Sequence, residues 1–558
     1  MTDPVAHRIP RLRHLRRALL VTGLAACAAP AAAQPAATLA VDDPVYDLVD
    51  QLLARVPVRG VIVAQRPYSR RELARAARTF AAAIARRGRP DDRSTELLST
   101  LVAAIGDTTT GDGRGARRRS PIRLRPLESA TLSIVASGTA PRPVQSTGLG
   151  GLDALTVPAL DARGGRPVVH GAVTSIETAH AVGVGAGLAL VVQPRVSWLG
   201  PTDGDQSVSV RPQRLFVRGV WRNAALQAGV DAARWGQGGA RGLFLADNAP
   251  PLHAITLATD APVTLPWVLR VIGPLRASGF IADLGRGQNF PHAKLAGYKV
   301  GATPWPRFEI GAGIVSQFGG HGAPALSTGQ RIADLFPYVT WIHPGTDRPG
   351  DKLASNKLAN GDVRLQIPEL AGLTLSYEAE MDDLDFRRIH SMLWQDTGHL
   401  LAARFGALDH AGTLSLDLQL HHTSIRLYEH AQFTSGVTYD RGLLGDPLGP
   451  NAAAGYASLA WRPTPLVEYA LRAAVERRDA SQYESRTDNA HEDNFRFVVV
   501  QSRPLERRAR FELAARRTIL GALGYSARAG VERVTNEGFV ARPASWDGYV
   551  EAGIGVRR

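Results

Sequence analysis

The sequence predicts an all-β protein, a large antiparallel transmembrane β-barrel preceded by a small N-terminal helical region. Three observations predict it. Beyond about Arg123, apolar and polar residues alternate for more than 400 residues without helical interruption, too many strands for one sandwich. Long polar segments such as 345–362, 436–455 and 477–494 alternate with short turns between these runs, as in outer-membrane barrels. After the first 35 residues no apolar run approaches the ~18–20 residues of a membrane-spanning helix. The longest, Ala181 to Val192, holds Gly183, Gly185 and Gly187.

The chain opens with an export signal over residues 1–33. Arg8, Arg11, Arg13, Arg16 and Arg17 form a basic stretch, Ala18 to Ala26 an apolar one, and Ala31-Ala32-Ala33 precede Gln34 as a small-residue cleavage site. Leu24-Ala25-Ala26-Cys27 resembles a bacterial lipobox, so Cys27, the single cysteine, is a candidate lipid anchor. One cysteine excludes a disulfide framework and any thiolate metal cluster.

Residues 34–120 follow as a helical periplasmic region and linker. Val45, Leu48, Val49, Leu52, Leu53 and Val56 recur at helical spacing and form one apolar stripe. Ser69 and Glu72 form a capping box ahead of Leu73, Ala76, Ala77, Phe80 and Ile84. A third helix is expected from Thr95 to Ile105, and the Gly-, Thr- and Arg-rich stretch 106–120 is expected to be a linker.

The barrel is assigned to residues 121–558. Leu414, Leu416, Leu418 and Leu420 alternate with Ser415, Asp417, Gln419 and His421; Phe308 to Val315 and Leu375 to Asp382 alternate likewise. Further strand-like runs cover Phe495–Val500, Arg510–Ala515, Gly524–Val534 and Tyr549–Val556. At roughly 20–27 residues per strand with its connection, this length predicts about 16–20 strands. The last strand ends on Arg557-Arg558 where such barrels usually close on an aromatic residue. Trp221, Trp235, Trp267, Trp305, Trp341, Trp394, Trp461 and Trp546 recur about once per strand pair, the spacing of interfacial girdles; stacking on sugar rings is the other use of such residues.

Formal charge is +14, with 65 Lys and Arg against 51 Asp and Glu. Nearly all the cations are arginine, whose planar fork suits carboxylate, sulfate or phosphate. A base-composition habit, visible in the Ala and Gly content, accounts for the excess equally well. Export argues against a nucleic-acid partner and leaves an anionic saccharide or a lipid headgroup as the candidate.

Catalytic and metal patterns are sparse. Gly183 to Gly187 and Gly236 to Gly239 lack the Lys-Ser/Thr of a nucleotide loop. There is no H-E-x-x-H and no G-x-S-x-G. His421 and His422 are adjacent, so on a strand they face opposite ways; His390 and His399 have no partners at zinc-site spacing. Glu378, Glu380 and Asp382 share one strand face opposite Tyr377, Ala379 and Met381. Such a stripe can bind calcium, serve acid/base chemistry or line a polar lumen paired with arginine, Arg364 of the preceding strand being a candidate. Lumen wall is the commoner meaning.

Ala233-Arg234-Trp235-Gly236-Gln237-Gly238-Gly239, followed by Leu243 to Pro251 with Asp247-Asn248-Ala249-Pro250, resembles the capsule assembly Wzi family. Later pieces agree in order: Gly273-Pro274-Leu275, Leu295 to Tyr298, Pro304 to Gly320, Gly361 to Arg364, Tyr377 to Asp383 and Leu444 to Gly449. Together with Arg66-Pro67-Tyr68-Ser69 the resemblance spans roughly residues 40–556. It implies an outer-membrane barrel of about 18 strands with a helical element at its periplasmic end. The implied role is binding capsular or other exported, acidic polysaccharide at the cell surface, as a lectin without catalysis or cofactor. Its remaining partner would be outer-membrane lipid, with a monomer favoured. Candidate binding residues are Arg234, Trp235, Gln237, Arg241, Asn248, Glu378, Glu380 and Arg441, the motif residues among them being expected mainly to determine the fold. The rival readings are a porin-like channel, whose lumen stripe sets selectivity, and a barrel enzyme acting on lipid or saccharide through Glu378 or Asp382.

Overall fold

The computed structural model describes residues 36–87, 91–106, 122–185, 187–325, 327–335, 355–382, 393, 395–487 and 495–557. The export signal, Cys27, most of the linker, Trp341, Trp394 and His390 lie outside the described residues.

Eighteen antiparallel strands close into a barrel. The first six are β1 (Ile122–Ser137), β2 (Gly171–Val184), β3 (Leu188–Pro201), β4 (Ser207–Trp221), β5 (Ala224–Asp231) and β6 (Leu252–Thr259). Next come β7 (Pro274–Asp283), β8 (Lys294–Trp305), β9 (Phe308–Phe318), β10 (Ser355–Ile367), β11 (Leu373–Asp382) and β12 (Thr397–Phe405). The last are β13 (Leu414–Thr423), β14 (Ala452–Trp461), β15 (Val467–Arg478), β16 (Glu506–Arg517), β17 (Leu523–Thr535) and β18 (Ser545–Arg557). Strand β1 pairs with both β2 and β18, so the sheet has no free edge.

The alternation decides which face meets lipid. On β13, Leu418 and Leu420 are exposed outward, while Ser415 and His421 are buried in the lumen. Trp221, Trp267, Trp305 and Trp461 are exposed near the short-turn end and Trp546 near the long-loop end, as interfacial girdles require. Trp235 departs from this expectation. It is buried inside the lumen, because its segment is a loop turned into the barrel and not a strand of its wall.

Two other segments differ from the sequence pattern. Residues 355–362, expected within a polar loop, open β10, with Asn356, Asn360 and Asp362 buried on the lumen face and Ser355 and Lys357 on the other face, paired with Asp334. Phe495–Gln501 is a strand as expected, but it pairs with Gln482–Thr487 in a hairpin outside the barrel wall. Alternation identifies a strand without naming its partner.

Three helices, α1 (Val45–Arg55), α2 (Arg70–Arg86) and α3 (Asp92–Ile105), pack around a core of Leu48, Leu52, Leu73, Phe80, Leu97 and Leu101. Ser69 caps α2 by accepting from the Glu72 amide at 3.1 Å. Asp91 caps α3 through the Ser94 amide at 2.8 Å, so that helix starts earlier than Thr95. The helical unit sits at the short-turn end. Arg93 donates to the Arg462 carbonyl at 3.0 Å, and Arg75 to that of Asp260 at 3.0 Å. A fourth helix, α4 (Thr328–Leu335), follows β9.

Candidate functional site

The lumen wall between β8 and β11 carries a set of buried polar side chains: Lys299, Glu309, Asn360, Asp362, Glu378 and Glu380. Antiparallel register sets Asp362 opposite Glu378 and Asn360 opposite Glu380. Facing glycines make the room. A Cβ at Gly311 would lie 2.5 Å from the Asp362 carboxylate, and one at Gly313 2.7 Å from Phe244 and 2.9 Å from Lys299. Lys299 is fully buried and pairs with Asp362 and Asn360.

Onto this wall folds the 232–251 loop. Glu378 accepts four backbone amides from it. One carboxylate oxygen takes Gln237 at 2.8 Å and Gly238 at 3.0 Å, the other Leu243 at 3.0 Å and Phe244 at 3.2 Å. A carboxylate ringed by donors in a buried site satisfies its own charge and fixes the loop's path. Gly236 completes the latch. Its φ is +110°, and a Cβ there would stand 2.4 Å from the Glu378 carboxylate. The Gln237 side chain donates to Asp362 at 2.9 Å and to Glu309 at 3.3 Å.

From the opposite end, the chain leaving α1 reaches the same place. Val63 and Ala64 amides donate to Glu309 at 3.1 and 2.9 Å. Gln65 and Arg66 pair antiparallel with Trp235 and Arg234. The lumen is therefore filled from both ends, and the two fillings form one small sheet.

The remaining candidates divide between this plug and the outer surface. Arg234 is buried against Asp247, and Trp235 packs on Phe244 and Phe280 with ring centroids 6.0 and 5.2 Å apart. Arg241 pairs with Asp161 at 2.6 Å and lies over the Tyr456 ring. Asn248 donates to the Leu443 carbonyl at 3.3 Å. Glu380 is buried beside Glu378 on the wall. Arg364 turns away from the acidic stripe and faces Asp50 of α1 at 3.6 Å. Arg441 alone of the eight is substantially exposed, at the tip of an outer hairpin, paired with Asp153 at 2.9 Å.

Residues 156–545 match the capsule assembly protein Wzi family. The chain belongs to that family. An outer-membrane protein of Escherichia coli, Wzi, described as a carbohydrate-binding β-barrel involved in group 1 capsule assembly, superposes with a TM-score of 0.63 at 14% identity, covering 94% of this chain and all of that one. A 55.8 kDa protein of the Klebsiella pneumoniae cps region is 28% identical over 151 residues; the match spans 26% of this chain and 28% of that relative. This Wzi-family protein is thus an outer-membrane β-barrel, and the Trp-Gly motif that carries the resemblance is the loop latched by Glu378.

Sequence reading missed three partners in this Wzi-family lumen. Glu309 and Asp362 sit on strands whose alternation was legible, but nothing local marks them as the acceptors of a loop more than 70 residues away. Glu429 is the third. It accepts the Thr147 amide at 2.6 Å and the Gly150 amide at 3.1 Å, stapling the loop after β1 to the loop after β13. Burial pushes its carboxyl up to about 7.

Proposed function

We propose that this outer-membrane barrel binds capsular or other exported polysaccharide, of acidic character, at its outer face and supports assembly or attachment of the polymer there. The observation that carries the reading is the hairpin Thr438–Leu443 at the long-loop end. Its tip residues Asp440 and Arg441 have positive φ values of 48° and 62° and are about half exposed, in ion pairs with Arg211 and Asp153. Tyr439 beside them lies edge-on to His253, with ring centroids 6.5 Å apart. Guanidinium, carboxylate and aromatic groups held on a stiff turn suit an anionic, hydroxyl-rich polymer. Family membership, and the carbohydrate binding of the Escherichia coli neighbour, support the same assignment.

Binding is favoured over catalysis because Glu378, the natural acid/base candidate, is committed to four amides. The test is retention of polymer on cells carrying Arg441→Ala together with Arg211→Ala. Polymer is expected to be released while the barrel keeps its heat-modifiable migration; full retention in the double variant would reject the outer hairpin as the contact.

A further inference from the structure

The plug fills the lumen mainly against β7 to β11. Against β12 to β18 a cavity of about 380 Å³ remains, within the size range of small-molecule sites. Its floor includes Asp47 of α1, and Arg241 and Ala159 of the outer loops form its roof. Arg404, Arg462, Arg472, Arg510, Arg516 and Arg528 come from the wall. Against these seven guanidiniums stand four carboxylates: Asp47, Asp417, Glu468 and Glu512.

The imbalance is one of placement. Other carboxylates that pair with these arginines stand behind them, outside the cavity lining: Asp161 with Arg241 at 2.6 Å, Glu532 with Arg510 at 2.8 Å, and Glu551 with Arg528 at 2.6 Å. Around Arg472 and Arg516 the side-chain exposure follows the same division, whereas Arg462 and Arg510 are buried. Arg472 is 39% and Arg516 33% exposed, while Glu468 is 11% and Glu512 7%. Because all four sit on the lumen face, that exposure is to this void. Asp47, at 35%, and the partly buried Asp417 are the carboxylates that share it. The wall is electrically paired, yet the surface it shows to the void is cationic. Ser415, Gln419, Ser458 and the Tyr456 and Tyr549 rings complete the lining with hydroxyl, amide and aromatic groups.

We infer that this chamber is a binding site for an oxyanion, either the carboxylate of an acidic sugar or an inorganic sulfate or phosphate. Arg472 is its central contact. The guanidinium already bridges Glu512 at 2.6 Å and Glu468 at 3.4 Å, leaving donors of its five for a ligand. The site is separate from the outer hairpin and does not depend on the function proposed for it.

Equilibrium dialysis of the detergent-folded full chain at low ionic strength, against labelled sulfate, glucuronate and glucose in turn, tests it. Saturable binding of one equivalent is expected for sulfate and glucuronate and none for glucose. Arg472→Gln should weaken binding at least tenfold, and Arg307→Ala, at an exposed turn pair with Glu369, should leave it unchanged. Glu468→Gln removes a competing carboxylate and should tighten binding severalfold, which keeps the proposal testable if Arg472→Gln fails to fold. Glucuronate held tighter than sulfate assigns the site to an acidic sugar; equal affinity assigns it to oxyanions generally. No saturable binding of either anion, or unchanged affinity in both Arg472→Gln and Glu468→Gln, overturns it.

Discussion

Glu378 shows how a residue's chemistry depends on what the chain brings to it. On its strand it belongs to an acidic stripe that suits a metal, an acid/base pair or a pore lining. In the fold its oxygens are occupied by amides of residues 237, 238, 243 and 244. Backbone donors carry no side-chain signature, so no pattern near residue 378 announces them. Its neighbour Gly236 was legible as part of a family motif, and the reason for glycine is now steric: a positive φ and a carboxylate where a Cβ would be. Truncation by Glu378→Ala leaves these donors unpaired in a buried site, a loss of about 3–5 kcal/mol when one partner of a buried charged contact is removed. Chemical denaturation in detergent should show that loss. Gly236→Ala should mimic it in direction, and both variants should expose the 232–251 loop to protease. A fully stable Glu378→Ala protein would mean that the latch is decorative.

At the scale of elements, local signals were read well and long-range ones poorly. Ser69 announces α2 because a cap acts within three residues. The Glu72 side chain does not reciprocate toward the cap; it lies 3.4 Å from Arg276 on β7, and burial raises its carboxyl to about 7. That partner is some 200 residues away. The outer loops are joined by the same kind of contact. Glu429, with a folded pKa of about 7 against 4.5 as its ordinary value, is protonated in the docked loops over a range where a free carboxyl is charged. Since the docked state binds more protons there, its contribution is fully present below the ordinary pKa and is lost as pH rises through about 7. Limited proteolysis of loop 138–170 is therefore expected to accelerate between pH 5 and pH 8. Glu429→Gln should flatten that dependence, and a wild-type rate independent of pH would refute the staple's titration.

At the scale of the molecule, the net charge of +14 takes on a different meaning from a simple cationic surface. Much of the arginine faces inward, in ion pairs that hold wall, helices and loops together, such as Arg510 with Glu476 and Glu532, or Arg557 at the chain's end with Asp43. The arginine that replaces a closing aromatic thus ties the last strand to the helical unit. Wall, helices and outer loop also meet at one point. Glu309 receives the Val63 and Ala64 amides from the short-turn side and Gln237 from the long-loop side, and Glu378 holds the rest of that loop. If the two fillings support each other through the Gln65–Trp235 pairing, removing both anchors differs from the sum of removing each. The stability changes of Glu309→Ala and Glu378→Ala should deviate from additivity by about 0.5–3 kcal/mol, the range for residues sharing a network. Planar-bilayer recordings carry the same logic into function. The wild-type barrel should be nearly silent, each single variant should flicker, and the double variant should conduct steadily because neither end is held. Steady large conductance from the wild-type protein would favour a channel and contradict a plug latched from both sides.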